Sequence, residues 1–373
     1  MFSVEAIEAI REGVLKGDPV RGPVDVQIMP LNLCNQACVF CPLQAVPENA
    51  KRKYAPRFLD SGQTMEWSTF ERIINGLKEL GEVERVHFTG GEPLMHPRIA
   101  DMVKAFKKRF GQVSVGVVTN GALLKERFEE ILGAGIDRIS VSINAADEKA
   151  HMALSLSDHA RDFGLILEGI KKAGDYKRAH IQKGEKKSFE LALTCVLTRH
   201  NYNSVAGLAE IAGNAGAQSV TFVPLVPFEY EGVSSTAAFA VTKKQFAEFI
   251  KDIREIAPLA SRKGIWVGYS GEESDQGILK NPEPGRPCYA GYAFCVFWPD
   301  GAVRPCCNCE AQMGNIIKQS LREIWFSEAY RDFRAKSIRG DLPDSKGCSC
   351  LECGYLYENR LFSKSISRAQ GKS

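Results

Sequence analysis

The run Leu33-Cys34-Asn35-Gln36-Ala37-Cys38-Val39-Phe40-Cys41-Pro42 places three cysteines in the spacing C-x3-C-x2-C. Three thiolates on one short loop can hold three irons of a cubane [4Fe-4S] cluster and leave the fourth iron open to a small chelating molecule. Positions i, i+4 and i+7 also share one helical face, where cysteine serves as a small buried hydrophobe. Pro30, Asn32, Asn35 and Pro42 argue against that helix, because they break helices or favour turns. The segment therefore reads as a metal-binding loop that follows a strand.

Downstream, the apparent strand from Val83 to Thr89 ends in the turn Gly90-Gly91-Glu92-Pro93. Its two glycines admit close approach of the backbone to a ligand, and Glu92 offers an acceptor to an ammonium group. Together with Cys34, Cys38, Phe40 and Cys41, this turn makes the chain resemble the radical S-adenosylmethionine (SAM) superfamily. The resemblance implies that the amino and carboxylate groups of SAM chelate the open iron. It also implies that Gly90, Gly91, Glu92 and Pro93 engage the methionine amino group, with Phe40 beside the cofactor. Two more runs, Val115 to Gly121 and Ile139 to Asn144, pass from apolar strand to polar terminus, where parallel α/β sheets place ligands. Similar positions in the family contact the ribose and carboxylate of SAM, which assigns Thr119, Asn120, Ser140, Ser142 and Asn144 to cofactor binding. Ser140, Ser142 and Asn144 share one strand face, so Val141 and Ile143 are expected under the helices.

Cys288, Cys295, Cys306, Cys307, Cys309, Cys348, Cys350 and Cys353 form a second group, and Cys195 alone lies outside both. The order Cys288, twelve residues, Gly301, four residues, Cys306, a gap and Cys350-x2-Cys353 looks like the Twitch form of the SPASM extension. That resemblance implies one auxiliary [4Fe-4S] cluster on Cys288, Cys306, Cys350 and Cys353, since no cysteine follows Cys353 to build a second. A zinc ribbon is the competing interpretation. Cys288 and Cys306 are not a C-x2-C knuckle, however, and Pro299-Asp300-Gly301 between them reads as a hairpin turn. Cys295, Cys307, Cys309 and Cys348 stand open as alternative ligands or buried thiols.

The chain's 373 residues, 44% of them hydrophobic, exceed one typical domain of roughly 100–200 residues. Strands are expected near Val24 to Met29, Val83 to Thr89, Val113 to Val118, Ile139 to Asn144, Phe189 to Leu197 and Ser219 to Pro224, alternating with helical patterns. Such a series implies a parallel sheet with right-handed crossovers. The fold class is thus α/β, and the resemblance specifies a partial (β/α)6 barrel, open and TIM-like, with a small C-terminal cysteine-rich Twitch/SPASM domain. The expected divisions are a helical extension at 1–20, the barrel at 21–260, the auxiliary-cluster domain at 261–360 and a flexible tail at 361–373.

A net charge of +3, from 48 basic and 45 acidic side chains, is too balanced for a nucleic-acid footprint. No stretch reaches the apolar length of a membrane span, and the N-terminus lacks a signal-peptide core. Twelve cysteines then read as metal ligands of a cytoplasmic protein. The basic run from Lys171 to Lys187 reads as a solvated loop, Cys195 as a core thiol, and His87, His96 and His200 as lone histidines. The resemblance implies reductive cleavage of SAM to a 5'-deoxyadenosyl radical, fed by a flavodoxin or ferredoxin-type donor, and hydrogen abstraction from substrate. Dehydrogenation of a small hydroxylated or sugar-like metabolite is the leading expectation, because the cysteine spacing is similar to that of Twitch dehydrogenases acting on carbinols. Modification of a ribosomally made short peptide is the alternative. No residue stands out as catalytic acid or base.

Overall fold

The computed structural model describes residues 2–41, 63–154, 162–182, 189–226, 236–271, 286–307, 309, 311–341, 359–360, 362–364 and 366. The first helix, α1 (Val4–Lys16), starts at Ser3, whose hydroxyl accepts from Ala6 N, and stops at Gly17 in the left-handed region. There follow β1 (Asp25–Ile28), α2 (Trp67–Leu80), β2 (Arg85–Phe88), α3 (Ile99–Phe110), β3 (Ser114–Thr119), α4 (Leu124–Gly133) and β4 (Arg138–Ser142). Next come α5 (Glu148–Ala153), α6 (Asp162–Gln182), β5 (Glu190–Val196), α7 (Val205–Ala215), β6 (Ser219–Val223), α8 (Lys243–Ser261) and β7 (Trp266–Tyr269). Strands β1 to β7 are neighbours in chain order and all parallel, as helical crossovers require.

The register explains which face is core. Ile28, Phe88, Val117, Ile139 and Leu191 lie opposite one another across five strands and are buried under the helices. Phe70, Ile73, Ile74, Leu77 and Leu80 of α2 pack into the same core; burying each such side chain contributes about 1.5–3 kcal/mol. The other face is polar. Gln27, His87, Gly116, Arg138 and Glu190 share one level, where Asp25 holds both Arg85 and His87 and Arg138 meets Glu190 at 3.6 Å. Two levels toward the strand exits stand Ser142, Thr194 and Thr221. Ligand-sized polarity therefore collects at the C-terminal ends, as parallel sheets dictate.

The C-terminal part extends this sheet. After α9 (Ala290–Ala293), β8 (Phe294–Phe297) pairs in parallel with β1, and β9 (Ala302–Arg304) and β10 (Gly314–Asn315) continue antiparallel. The result is a ten-stranded sheet ending at β7 on one side and β10 on the other, not a closed barrel. The β8–β9 hairpin turns at Pro299, Asp300 and Gly301 as expected, with Gly301 at φ +80° and Asp300 Oδ1 accepting from Ala302 N. Helix α10 (Leu321–Trp325) packs against α2, and α11 (Glu328–Arg339) against α9.

Three expectations change. A boundary at 260/261 would cut the parallel sheet, because β7 pairs with β6 and completes it; its four residues, including Gly268, are too short to signal from sequence. The basic run is not a loop up to Gln182 but part of α6, where Asp175 pairs with Lys171 and Arg178. Gly174, which resembles a breaker, instead lets α6 approach α7: a Cβ there would sit 2.4 Å from Ala215 O. Finally, the tail assigned from 361 begins inside the core. Phe362 is 1% exposed and stacks on Phe2 at 5.3 Å, and Ile366 is buried beside it.

Candidate metal and cofactor centre

The cysteine loop leaves β1 as extended chain held from both sides. On one side Met65 N donates to Pro30 O, Leu31 bridges Thr64, and Asn32 exchanges bonds with Gln63. On the other, Gly91 N donates to Leu31 O at 3.0 Å and Glu92 N to Leu33 O at 2.8 Å. This contact is what the glycine pair serves. A Cβ on Gly91 would fall 1.8 Å from Leu33 O, and one on Gly90, at φ +117°, would fall 2.8 Å from Leu31 O. The close approach read from sequence as backbone to ligand is here backbone to cysteine loop.

Glu92 is 0% exposed and its carboxylate is turned inward. Oε1 accepts from Leu94 N at 2.9 Å and Thr119 Oγ1 at 2.8 Å, and Oε2 accepts from Asn120 N at 2.7 Å. Burial raises its pKa to about 7 despite these three donors. The side chain is thus a brace between the exits of β2 and β3, not the ammonium acceptor suggested by sequence. The carbonyls of Gly90 and Gly91 receive no hydrogen bond among the described residues, so the turn's acceptors are backbone oxygens. Thr119 is likewise spent internally, donating to Glu92 and accepting from Gly121 N. Asn120 reaches the loop instead of a ribose: its Nδ2 donates to Asn35 Oδ1 at 2.7 Å and to Cys34 Sγ at 3.5 Å.

Cys34, Cys38 and Cys41 are half-buried thiols, and Phe40 is half-buried between the last two. Burial pushes the Cys34 thiol up to about 11, opposed by the Gln36 N–H and raised further by Glu92 and Cys41. Cys38 is raised still more, first by burial and then by the neighbouring thiols Cys41 and Cys34. Such thiols become thiolates only against a strong positive charge, which a bound metal supplies. Among the described residues no three acidic, His or Cys side chains converge as a single ion needs. Three thiolates on one loop, each taking its own iron, are the donor set of a cubane. The donor set and its neutral, buried setting fit that group.

At the exit of β4, Ser140 is buried with its hydroxyl 3.1 Å from Thr194 Oγ1, while Ser142 is half-buried and its hydroxyl has no hydrogen-bond partner among the described residues. Asn144 Oδ1 accepts from Val196 N at 2.8 Å, leaving its NH2 group to donate outward. Asn201, not singled out from sequence, locks this corner: it is fully buried and its Nδ2 reaches Asn144 O, Val196 O and Cys195 Sγ. Its spacing three residues beyond Thr198, whose N–H it accepts, is a turn signal that could have marked it. Cys195 is a core thiol, fully buried on the outer face.

In the C-terminal region Cys288 and Cys306 pack together against Phe333 of α11, and Cys309 joins them. Cys307 Sγ lies 4.0 Å from Cys306 Sγ. Cys295 is excluded from this group, being buried on the opposite strand face against the sheet core. Cys348, Cys350 and Cys353 lie outside the described residues. Cys288 and Cys306 thus border the same small cluster beside the hairpin.

Residues 28–182, which contain the loop, the glycine turn and the exits of β3 and β4, match the family model of the radical SAM superfamily. That segment is a radical SAM domain. Residues 288–354 match the model of an iron–sulfur cluster-binding domain, SPASM, which favours iron over a zinc ribbon. A cofactor-modifying protein of the tungsten-containing aldehyde ferredoxin oxidoreductase in Pyrococcus furiosus is 24% identical over 340 residues, covering 87% of this chain and 86% of that one. The PqqA peptide cyclase of Xanthomonas campestris pv. campestris is 24% identical over 84% of this chain and 76% of its own length. Among solved structures, anSMEcpe with bound SAM and a Cp18Cys peptide superposes with a TM-score of 0.58 at 17% identity, covering 94% of this chain and 98% of that one. The radical SAM fold and a SPASM domain together imply a SAM-binding [4Fe-4S] cluster and auxiliary cluster chemistry. No helix among the described residues is long and apolar enough to cross a membrane.

Proposed function

We propose that this radical SAM enzyme modifies a peptide by hydrogen abstraction, with Cys34, Cys38 and Cys41 holding the cluster that takes SAM. The observation that carries the substrate class is the similarity to the peptide cyclase, which covers 84% of this chain. When bound, the cluster and SAM supply a 5'-deoxyadenosyl radical on receipt of one electron. The chain's own residues orient and enclose. The carbonyls of Gly90 and Gly91 offer acceptors to the SAM ammonium, and Ser142 and the Asn144 NH2 group offer donors to its polar oxygens. Phe40 contributes an apolar wall beside the loop.

Ser142, Thr194 and Thr221 form an uncharged hydroxyl level above ion pairs that neutralise one another. Such a wall can donate to and accept from a peptide amide without demanding a charged substrate. The same level supports a second reading, dehydrogenation of a small hydroxylated or sugar-like metabolite, with Cys288, Cys306, Cys350 and Cys353 holding an auxiliary electron acceptor. In both readings a flavodoxin or ferredoxin-type donor of the cytoplasm supplies the electron.

The test is a size separation. Extract of the source cells is split into peptide and dialysable fractions, and each is added to reconstituted, reduced enzyme with SAM. Stimulated 5'-deoxyadenosine that follows the peptide fraction and is abolished by protease is the expected result. Stimulation confined to the protease-resistant dialysable fraction would overturn the peptide reading in favour of the metabolite.

A further inference from the structure

We propose that Asn120 is a positioning residue for the loop cluster, aiming an N–H at the Cys34 sulfur and so making that cluster easier to reduce. The orientation of its amide is determined by its partners. Asn120 Oδ1 accepts from Ala122 N at 3.0 Å, so the amide nitrogen must face the loop. One hydrogen of that nitrogen goes to Asn35 Oδ1 at 2.7 Å, and the other is directed at Cys34 Sγ at 3.5 Å. The backbone is fixed as firmly, since Asn120 N donates to the buried Glu92 carboxylate at 2.7 Å. A second donor, Gln36 N, approaches the same sulfur at 3.4 Å. Cys38 differs: its sulfur faces an acceptor, Gln36 Oε1, at 4.0 Å.

Reduction adds one negative charge to a cluster and its thiolates. N–H donors stabilise that charge more than they stabilise the oxidised form, which raises the reduction potential. Two donors on Cys34 therefore bias reduction through that corner. The brace from Glu92 through Asn120 links the glycine turn to the potential of the cluster, a role for these residues separate from holding SAM.

The inference rests on a cluster at Cys34, Cys38 and Cys41, and the experiment tests that separately. Full-length parent, Asn120→Ala and Asn120→Asp proteins are reconstituted anaerobically, assayed for iron, and titrated with dithionite under EPR. The signal that changes on SAM addition reports the loop cluster. Asn120→Ala is expected to weaken reduction about tenfold, a potential about 59 mV more negative for one electron. Asn120→Asp, which replaces the donor with an anionic oxygen, is expected to fall lower still. Midpoints equal to the parent in both variants would overturn the proposal. So would loss of loop iron in both variants with the fold intact by circular dichroism, which would make Asn120 an assembly residue. A parent without iron would instead overturn the cluster itself.

Discussion

Replacing Gly91 with alanine places one methyl group 1.8 Å from Leu33 O, 2.5 Å from Leu33 C and 2.9 Å from Asn32 C. All three are backbone atoms, so no rotamer change relieves the clash. The loop must retreat by roughly 1.5 Å to reach ordinary van der Waals distance. That retreat breaks the bonds from Gly91 N to Leu31 O and from Glu92 N to Leu33 O, worth about 1 kcal/mol each, and adds about 1–3 kcal/mol of overpacking. The sum, about 3–5 kcal/mol, falls on the loop that begins one residue before Cys34 and leaves the helical core untouched. Iron per chain, 5'-deoxyadenosine formation and thermal unfolding of the full-length protein check this. Gly91→Ala is expected to lose about four irons, or to retain them with turnover reduced about 100-fold, because a 1 Å misplacement of reacting groups costs on that order. Gly133→Ala in α4, where a Cβ meets nothing within 4 Å, is expected to match the parent or gain up to about 1 kcal/mol. Parental iron and parental turnover in Gly91→Ala would refute the argument that the glycine exists to seat the loop.

His87 has its pKa lowered to about 4, chiefly by burial, with Asp25 opposing and Arg85 and Arg138 reinforcing. The unfolded chain takes up that proton between pH 6.5 and 4 while the folded one refuses it, so stability present above pH 6.5 is lost as pH falls to 4. For a ring one-quarter exposed the loss is about 2 kcal/mol, and His87→Gln should flatten Tm against pH there; an unchanged slope would contradict it. Ending the chain at residue 358 removes Phe362 and Ile366 from the core they share with Phe2. Phe362→Ala alone should cost about 3–5 kcal/mol, measured by urea unfolding, whereas a frayed tail would cost nothing. A Cys34→Ala/Cys38→Ala/Cys41→Ala variant should fall from about eight to about four irons and make no 5'-deoxyadenosine; zinc in both proteins would defeat the assignment.

Much of this centre is legible from order alone. The thiol spacing, the helix-breaking residues around it and the strand exits identify the loop, the sheet and the polar end. The six expected strands all form, because alternation of apolar runs with 3.6-residue periodicity is a local signal. Residues with two plausible partners were less legible. Glu92, Thr119 and Asn120 carry groups suited to SAM, yet three-dimensional proximity gives them to one another and to Cys34. Gly174 and the lysines near it carry loop composition, yet ion pairs and the contact with Ala215 keep them helical.

The sequence by itself determined the chemistry of this protein: three thiols on one short loop, a glycine turn after a strand, and a second cysteine group at hairpin spacing. These are local properties, set by residue type and by separations of a few positions. Only the tertiary structure decided what each polar side chain is spent on. The glycine pair meets the cysteine loop, the glutamate braces two strand exits, an asparagine turns toward a sulfur, and β8 joins β1 across more than 260 residues of chain. Those choices follow from burial, because a polar group removed from water must bond to whatever the fold places within about 3 Å, and sequence separation carries no record of that neighbour.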